Sequence, residues 1–275
     1  MIHLPFRLEQ PHGTIRGDVR IPEGPPPRSA VVVVHGFKGY KDWAFFPWVA
    51  DRLAADRHAV VSFNMTGSGI GTDPHAFTEL EAFAANTYSR ELLDLGAVVT
   101  AVRSTLLPRP PVRLGILGHS RGGADAVLHA ANDPGVDALV TWSAVAKLHR
   151  WDEETRREWR EAGRIYVLNT RTGQQMPLDV ALLEDLEARG EALSVEGAAG
   201  RVTAPWLILH GTGDETVDVK EARRLAGACP GARLRLVEAA GHTFGAGHPF
   251  AGPGEALRTA MDATLVHFRR HLGPD

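Results

Sequence analysis

The sequence predicts an α/β protein built on a mainly parallel, doubly wound sheet, and three observations carry that prediction. Residues 30–34 are a continuous apolar run with four valines between Pro-rich and Gly-rich flanks, the mark of a strand buried on both faces. Runs of this kind alternate along the chain with segments of helical period, which requires crossovers and hence a parallel sheet. One of these strands passes directly into a glycine-flanked serine and then into a helical pattern. At 275 residues, 44% hydrophobic and 23% charged, the chain can bury one large core, so a single structural domain is expected.

The elements follow in order. Residues 14–21 suggest antiparallel edge strands, and residues 22–27 a short Pro-rich loop. After the valine strand, residues 46–55 form a helix in which Val49 and Leu53 share a face and Pro47 sits in the tolerant first turn. A second strand spans residues 59–63. From 87 to 107, Leu92, Leu95, Val99, Val102 and Leu106 recur at helical spacing until Pro108 and Pro110 stop the helix. Strand 112–117 leads through Gly118-His119-Ser120-Arg121-Gly122-Gly123 into a helix ending near Pro134. Further strands are expected at 138–142, 206–209 and 234–237, and helices at 219–228 and 255–272.

One segment breaks the alternation. Residues 147–201 hold two charged helical stretches, 152–162 and 178–189, around a short β-like 164–168. The expectation is a cap of 147–201 inserted into a core made of 1–146 and 202–275.

Gly118-x-Ser120-x-Gly122 is the pattern of a nucleophile elbow, where small residues let the chain turn sharply from strand to helix and expose the serine oxygen. A serine hydroxyl needs a base to take its proton, and the base needs an acid to hold its tautomer. Both are expected beyond later strands. Strand 206–209 runs into His210-Gly211-Thr212-Gly213-Asp214, and strand 234–237 into Gly241-His242-Thr243-Phe244. Ser120, Asp214 and His242 are therefore the candidate nucleophile, acid and base. Glu215 is a nearby rival for the acid, whereas Asp218, with Glu221 three residues on, reads as a helix N-cap. His35, His119 and His210 read as packed or hydrogen-bonded neighbours of the site, and His248 sits before Pro249 in a Gly/Pro-rich loop. The backbone N–H groups of Arg121 and Phe37 are the candidate oxyanion donors.

Together, the His35-Gly36-Phe37-Lys38-Gly39 loop, the stretch 63–69, the Gly-His-Ser-Arg-Gly-Gly elbow, the Asp214 loop and Gly-His-Thr-Phe resemble the α/β-hydrolase superfamily. The nearest likeness is to bacterial feruloyl/cinnamoyl esterases and serine aminopeptidase-like hydrolases, over about residues 13–272. The resemblance implies esterase or peptidase chemistry, no cofactor, and a cap that shapes the pocket. Met65-Thr66 departs from the aromatic or basic pair that relatives often carry.

Other signals are set aside. Residues 67–71 are Gly-rich after a strand but lack the spacing of a dinucleotide loop. Thirteen histidines show no metal-binding spacing, so no metal is expected. A net charge of -3 offers no field for nucleic acid, and no apolar stretch has the length of a membrane span. A lone cysteine, Cys229, and the lack of a signal-peptide pattern lead to the expectation of a cytoplasmic protein, with oligomeric state left open. Trp142, Trp151 and Trp159 are candidate walls for the substrate, with core packing as the competing role. The acids 152–154 read as a solvated helix face, with Glu153 paired to Arg157, although a peptidase would need such groups for a substrate's free amine. The expected function is cleavage of a small carboxylic ester through an acyl-enzyme. The rivals are an aminopeptidase or amidase and a non-catalytic binding protein on the same fold.

Overall fold

The computed structural model describes residues 1–273. In chain order the elements are β1 (Ile2–Gln10), β2 (Gly13–Ile21), β3 (Ser29–Val34), α1 (Phe46–Ala55), β4 (Ala59–Asn64), α2 (Leu80–Ala84), α3 (Tyr88–Ser104), β5 (Arg113–His119), α4 (Arg121–Ala130) and β6 (Ala138–Trp142). There follow α5 (Glu153–Ala162), β7 (Arg164–Asn169), β8 (Gln174–Asp179), α6 (Ala181–Arg189), a 3-10 turn (Gly190–Leu193), α7 (Val195–Ala199), β9 (Trp206–Gly211), α8 (Val219–Ala228), β10 (Arg233–Val237) and α9 (Glu255–Leu272).

Eight strands make one sheet in the order β1-β2-β4-β3-β5-β6-β9-β10. The pairs from β4 through β10 are parallel, and the β1–β2 hairpin adds two antiparallel strands at one edge. Every residue of β3, β4, β6 and β9 is buried, as strands covered by helices on both faces must be. At the far edge β10 alternates, with Arg233 and Arg235 exposed, so a charged rim protects its open side. Helices α3, α4, α7 and α8 pack side by side on one face. On the other face α1 covers β2, β3 and β4, α9 covers β5, β6, β9 and β10, and the Arg269–Asp56 ion pair joins α9 to the end of α1.

From β3 the chain first moves outward to β4 and then crosses back to β5 on the other side of β3. The connections part company there, so the carboxyl ends of β3 and β5 open a crevice.

The helix starts have local causes. Thr87 accepts the Arg90 N–H and Asp152 the Thr155 N–H, and Asp218 caps α8 by accepting from Lys220 N, as its position in the sequence suggests. Glu221 does not close a capping box; its carboxylate accepts from Ala146 N at 2.6 Å and ties α8 to the end of β6.

The inserted segment differs from expectation in two ways. The β-like stretch 164–168 has a partner: β7 and β8 form a two-stranded hairpin outside the main sheet, and α6 starts at Ala181 rather than near 178. Pro177 hides β8 from a sequence reading, since proline argues against a strand inside a sheet; in a two-stranded ribbon each strand is an edge and the missing N–H is harmless. The last helix of the segment, α7, packs against α4 and α8 and belongs to the core layer. On α5 the acid–base pairs are three residues apart, Glu153 with Arg156 and Glu154 with Arg157, instead of Glu153 with Arg157.

Candidate active site

The turn between β5 and α4 is set by contact. Ser120 has φ 57° and ψ −121°, a backbone state that an L-residue takes only under compulsion. The compulsion comes from its neighbours: a Cβ on Gly118 would lie 2.3 Å from Gly122 O, and one on Gly122 would lie 2.2 Å from His35 O. Only glycine permits these approaches, and they press the β3 loop against the elbow.

Three strand ends then bring the candidate residues together. His242, five residues beyond β10, places Nε2 3.1 Å from Ser120 Oγ and Nδ1 2.8 Å from Asp214 Oδ2. Asp214, beyond β9, is fixed by two backbone donors on its other oxygen, Thr216 N and Val217 N, both at 2.9 Å. His210 Nε2–H is shared between Val217 O at 2.8 Å and Asp214 Oδ2 at 3.3 Å. Burial alone would raise the Asp214 carboxyl, but the donors from His210, His242 and Val217 outweigh it and hold the group well below the ordinary carboxylate range. Ser120 O–H thus faces an imidazole nitrogen whose partner nitrogen is fixed as the donor to a permanent anion.

His119 and His35 are neutral supports. His119 Nε2 donates to His242 O at 3.0 Å and fixes the histidine loop; burial, with the nearby His242, pushes its pKa down to about 3. His35 accepts from Met65 N and donates to Gly36 O, and burial pushes it down to about 4. His248 accepts from Ala44 N and lies 3.2 Å from the Tyr40 hydroxyl at the rim.

The two candidate oxyanion donors sit on adjoining segments. Gly36 is so close to the elbow that a Cβ there would lie 2.9 Å from both His119 O and Ser120 Cβ, and Phe37 N–H follows directly. Arg121 is the first residue of α4, where the N–H has no partner within the helix and the helix dipole favours negative charge. Their side chains join as well: the Arg121 guanidinium lies 4.3 Å from the Phe37 ring centroid and its Nη2 2.6 Å from Glu91 Oε1. Asn86 donates to the same Glu91 oxygen, and burial raises the Glu91 carboxyl despite the Arg121 charge. Behind it lies Asp125, fully buried and raised well above its ordinary range by burial and by Glu91. Glu91 has a trace in the sequence: it stands four residues before Leu95 on the inward stripe of α3, where an acid signals a buried partner.

A cleft of about 650 Å³ opens over Ser120 and His242, within the usual range for small-molecule sites. Trp151 lines it, together with Phe37, Trp43 and Tyr88. Trp142 and Trp159, expected as possible walls, are corrected to core residues. Both are fully buried and away from the cleft, Trp142 bonding Thr264 Oγ1 and packing on Phe244, and Trp159 bonding Leu178 O beneath Trp151. Their indole N–H groups find partners in the interior, which is what lets a tryptophan serve as core. Among the described residues no group of three or more His, Cys, Asp or Glu is placed to hold a metal, and no helix is long and apolar enough to cross a membrane.

A serine elbow after a central parallel strand, on this sheet order, is the architecture of the α/β hydrolases. The model of the Alpha/beta hydrolase family matches residues 31–257, and the chain belongs to that family. Among curated proteins it is 29% identical over 203 residues to 2,6-dihydropseudooxynicotine hydrolase of Paenarthrobacter nicotinovorans; the match covers 72% of this chain and 47% of the relative, so the chain spans about half that protein's length. The structure of Est1E from Butyrivibrio proteoclasticus with ferulic acid bound superposes with a TM-score of 0.76 at 18% identity, over 98% of this chain and 100% of that one. The esterase domain of a Rhodothermus marinus protein gives 0.68 at 18% identity, over 99% and 100%. At such identities the shared feature is the fold.

Proposed function

We propose that this hydrolase cleaves carboxylic esters by two-step acyl transfer at Ser120. The observation that carries the reading is the unbroken chain from Ser120 Oγ to His242 to Asp214, at 3.1 and 2.8 Å, on the floor of an aromatic-lined cleft. In the first step Ser120 Oγ attacks the ester carbonyl while His242 Nε2 takes the hydroxyl proton, and the new oxyanion receives the N–H groups of Phe37 and Arg121. Collapse expels the alcohol, which leaves with the proton from His242. Water then attacks the acyl-enzyme and gives a proton to His242, which passes it to the departing Ser120 Oγ as the acid is freed. Asp214 stays ionised and steadies the imidazolium each time.

One observation favours the ester reading over the aminopeptidase one. Glu153 and Glu154 sit on the outer face of α5 with side chains 85% and 75% exposed, and among the described residues no carboxylate lines the cleft to receive a substrate ammonium. The test is hydrolysis of short-chain p-nitrophenyl esters, methyl ferulate and an aminoacyl-p-nitroanilide by the protein and its Ser120→Ala variant. Ester turnover lost in the variant is the expected result, and labelling of Ser120 by a fluorophosphonate should accompany it. Turnover of the anilide alone would turn the assignment to a peptidase. Absence of both turnover and labelling in folded protein would leave a binding protein.

A further inference from the structure

Positive charge collects at the mouth of the cleft. Lys38 reaches it from the loop after β3, Arg150 from the start of the inserted segment, and Arg171 from the turn between β7 and β8. All three hydrogen bond to backbone carbonyls: Lys38 Nζ to Leu168 O at 3.0 Å, Arg150 to Thr216 O at 3.1 Å and Arg171 to Lys38 O at 2.8 Å. Among the described residues none of the three has a carboxylate within ion-pair distance, although Arg103, Arg121, Arg156, Arg160, Arg164 and Arg269 all do. The acids closest to the chemistry are turned away, Asp214 behind His242 and Glu91 behind Arg121.

Two of these cations are held close together. The Arg171 guanidinium lies over the Trp43 ring, 4.6 Å from its centroid, and so keeps a fixed position beside Lys38. Burial lowers the Lys38 ammonium and the neighbouring Arg171 charge lowers it further; burial lowers Arg171 as well. Like charges brought together and partly desolvated are unfavourable until an anion joins them. Among the described residues the side chains of Lys38 and Arg171 each spend a single N–H on the protein, so several remain for a ligand.

We propose that the preferred substrates are esters that also carry a carboxylate, which Lys38 and Arg171 bind at the cleft mouth while the ester carbonyl lies at Ser120. This rests on the ester-hydrolase reading above and narrows it to an anionic substrate class. Arg150, which lines the same cleft, adds to the same field. The carboxylate takes no part in bond making; it sets orientation through charge-assisted hydrogen bonds.

The test compares substrates matched in shape and differing in charge, with the carboxylate on either side of the ester. These are m-acetoxybenzoate against its methyl ester, and mono-p-nitrophenyl adipate against p-nitrophenyl methyl adipate. In at least one pair the kcat/KM ratio of anion to neutral ester should be on the order of tenfold or more. It should fall toward one in the Lys38→Met/Arg171→Gln variant and shrink as salt is added. If the two cations serve only to dock the inserted segment, both members of a pair slow together and the ratio stays put. A ratio at or below one in both pairs, or one unmoved by the double variant, overturns the proposal. Calorimetric titration of the Ser120→Ala variant with both pairs separates this inference from the hydrolase reading. Tighter binding of the anion, lost with Lys38 and Arg171, upholds the carboxylate site even where no ester is turned over. Equal binding of anion and neutral ester rejects it.

Discussion

On the proposed ester-hydrolase reading, Asp214, 2.8 Å from Nδ1, holds His242 in the tautomer that leaves Nε2 free for the Ser120 proton. A side-chain amide in its place has the size of the carboxylate but offers an N–H where an acceptor is needed. Asp214→Asn should therefore lower kcat by roughly 10⁴ with a much smaller effect on KM, as steady-state kinetics would show. Glu91 makes a different prediction. Its removal strands the Arg121 guanidinium, buried behind the elbow. Glu91→Ala should cost about 3–5 kcal/mol, the typical loss when one member of a buried pair is deleted, measured by urea denaturation. Ser120, Asp214 and His242 are legible in the sequence because each follows from a strand with its own signature. Lys38 and Arg171 are not legible as a pair. They lie 133 residues apart and meet only because the β7–β8 turn folds back over the β3 loop.

The elbow between β5 and α4 holds its strained serine through close backbone contacts. Gly122→Ala places a methyl group into His35 O and must push the β3 loop away from Ser120. The expected result is loss of fluorophosphonate labelling together with destabilisation of at least about 2 kcal/mol, read from labelling and thermal melting of the same sample. Buried parallel strands and long helices announce themselves by continuous apolar runs and by helical period, which is why β3, β4, β6, β9, α8 and α9 could be drawn from sequence. The elements that escaped are β1, α2, β8 and α7, the last only five residues long. β1 is largely exposed, α2 is five residues long, and β8 carries Pro177, so none leaves the pattern that burial imprints. The tryptophans misled for a related reason: a large aromatic side chain suits a core and a pocket wall equally, and its place in the sequence does not separate the two.

Buried histidines make the stability of the whole fold depend on pH. His35 and His119 are neutral in the folded protein, at about 4 and about 3, yet once unfolded they titrate near 6.5. Above pH 6.5 neither state takes the proton and their contribution is intact. As pH falls below 6.5 the unfolded chain binds protons that the fold refuses, and by pH 5 each group has withdrawn about 2 kcal/mol. Asp125 and Glu91 act in the opposite sense, since burial raises both and acid relieves them. The histidine contribution is isolated by comparing variants. Between pH 7.5 and 5, His119→Gln should lose about 2 kcal/mol less than the parent, as chemical denaturation at the two pH values would reveal. Finally, the hairpin formed by β7 and β8 meets the loop after β3 through main-chain carbonyls, with Lys38 Nζ reaching Leu168 O at the hairpin's near end. A carbonyl is present whatever the side chain, so residues 170–173 at the hairpin tip can vary in length and kind without losing that attachment. If the carboxylate site proposed above holds, selectivity and chemistry reside on separate segments: the elbow can stay fixed while one short turn is rewritten to suit another molecule.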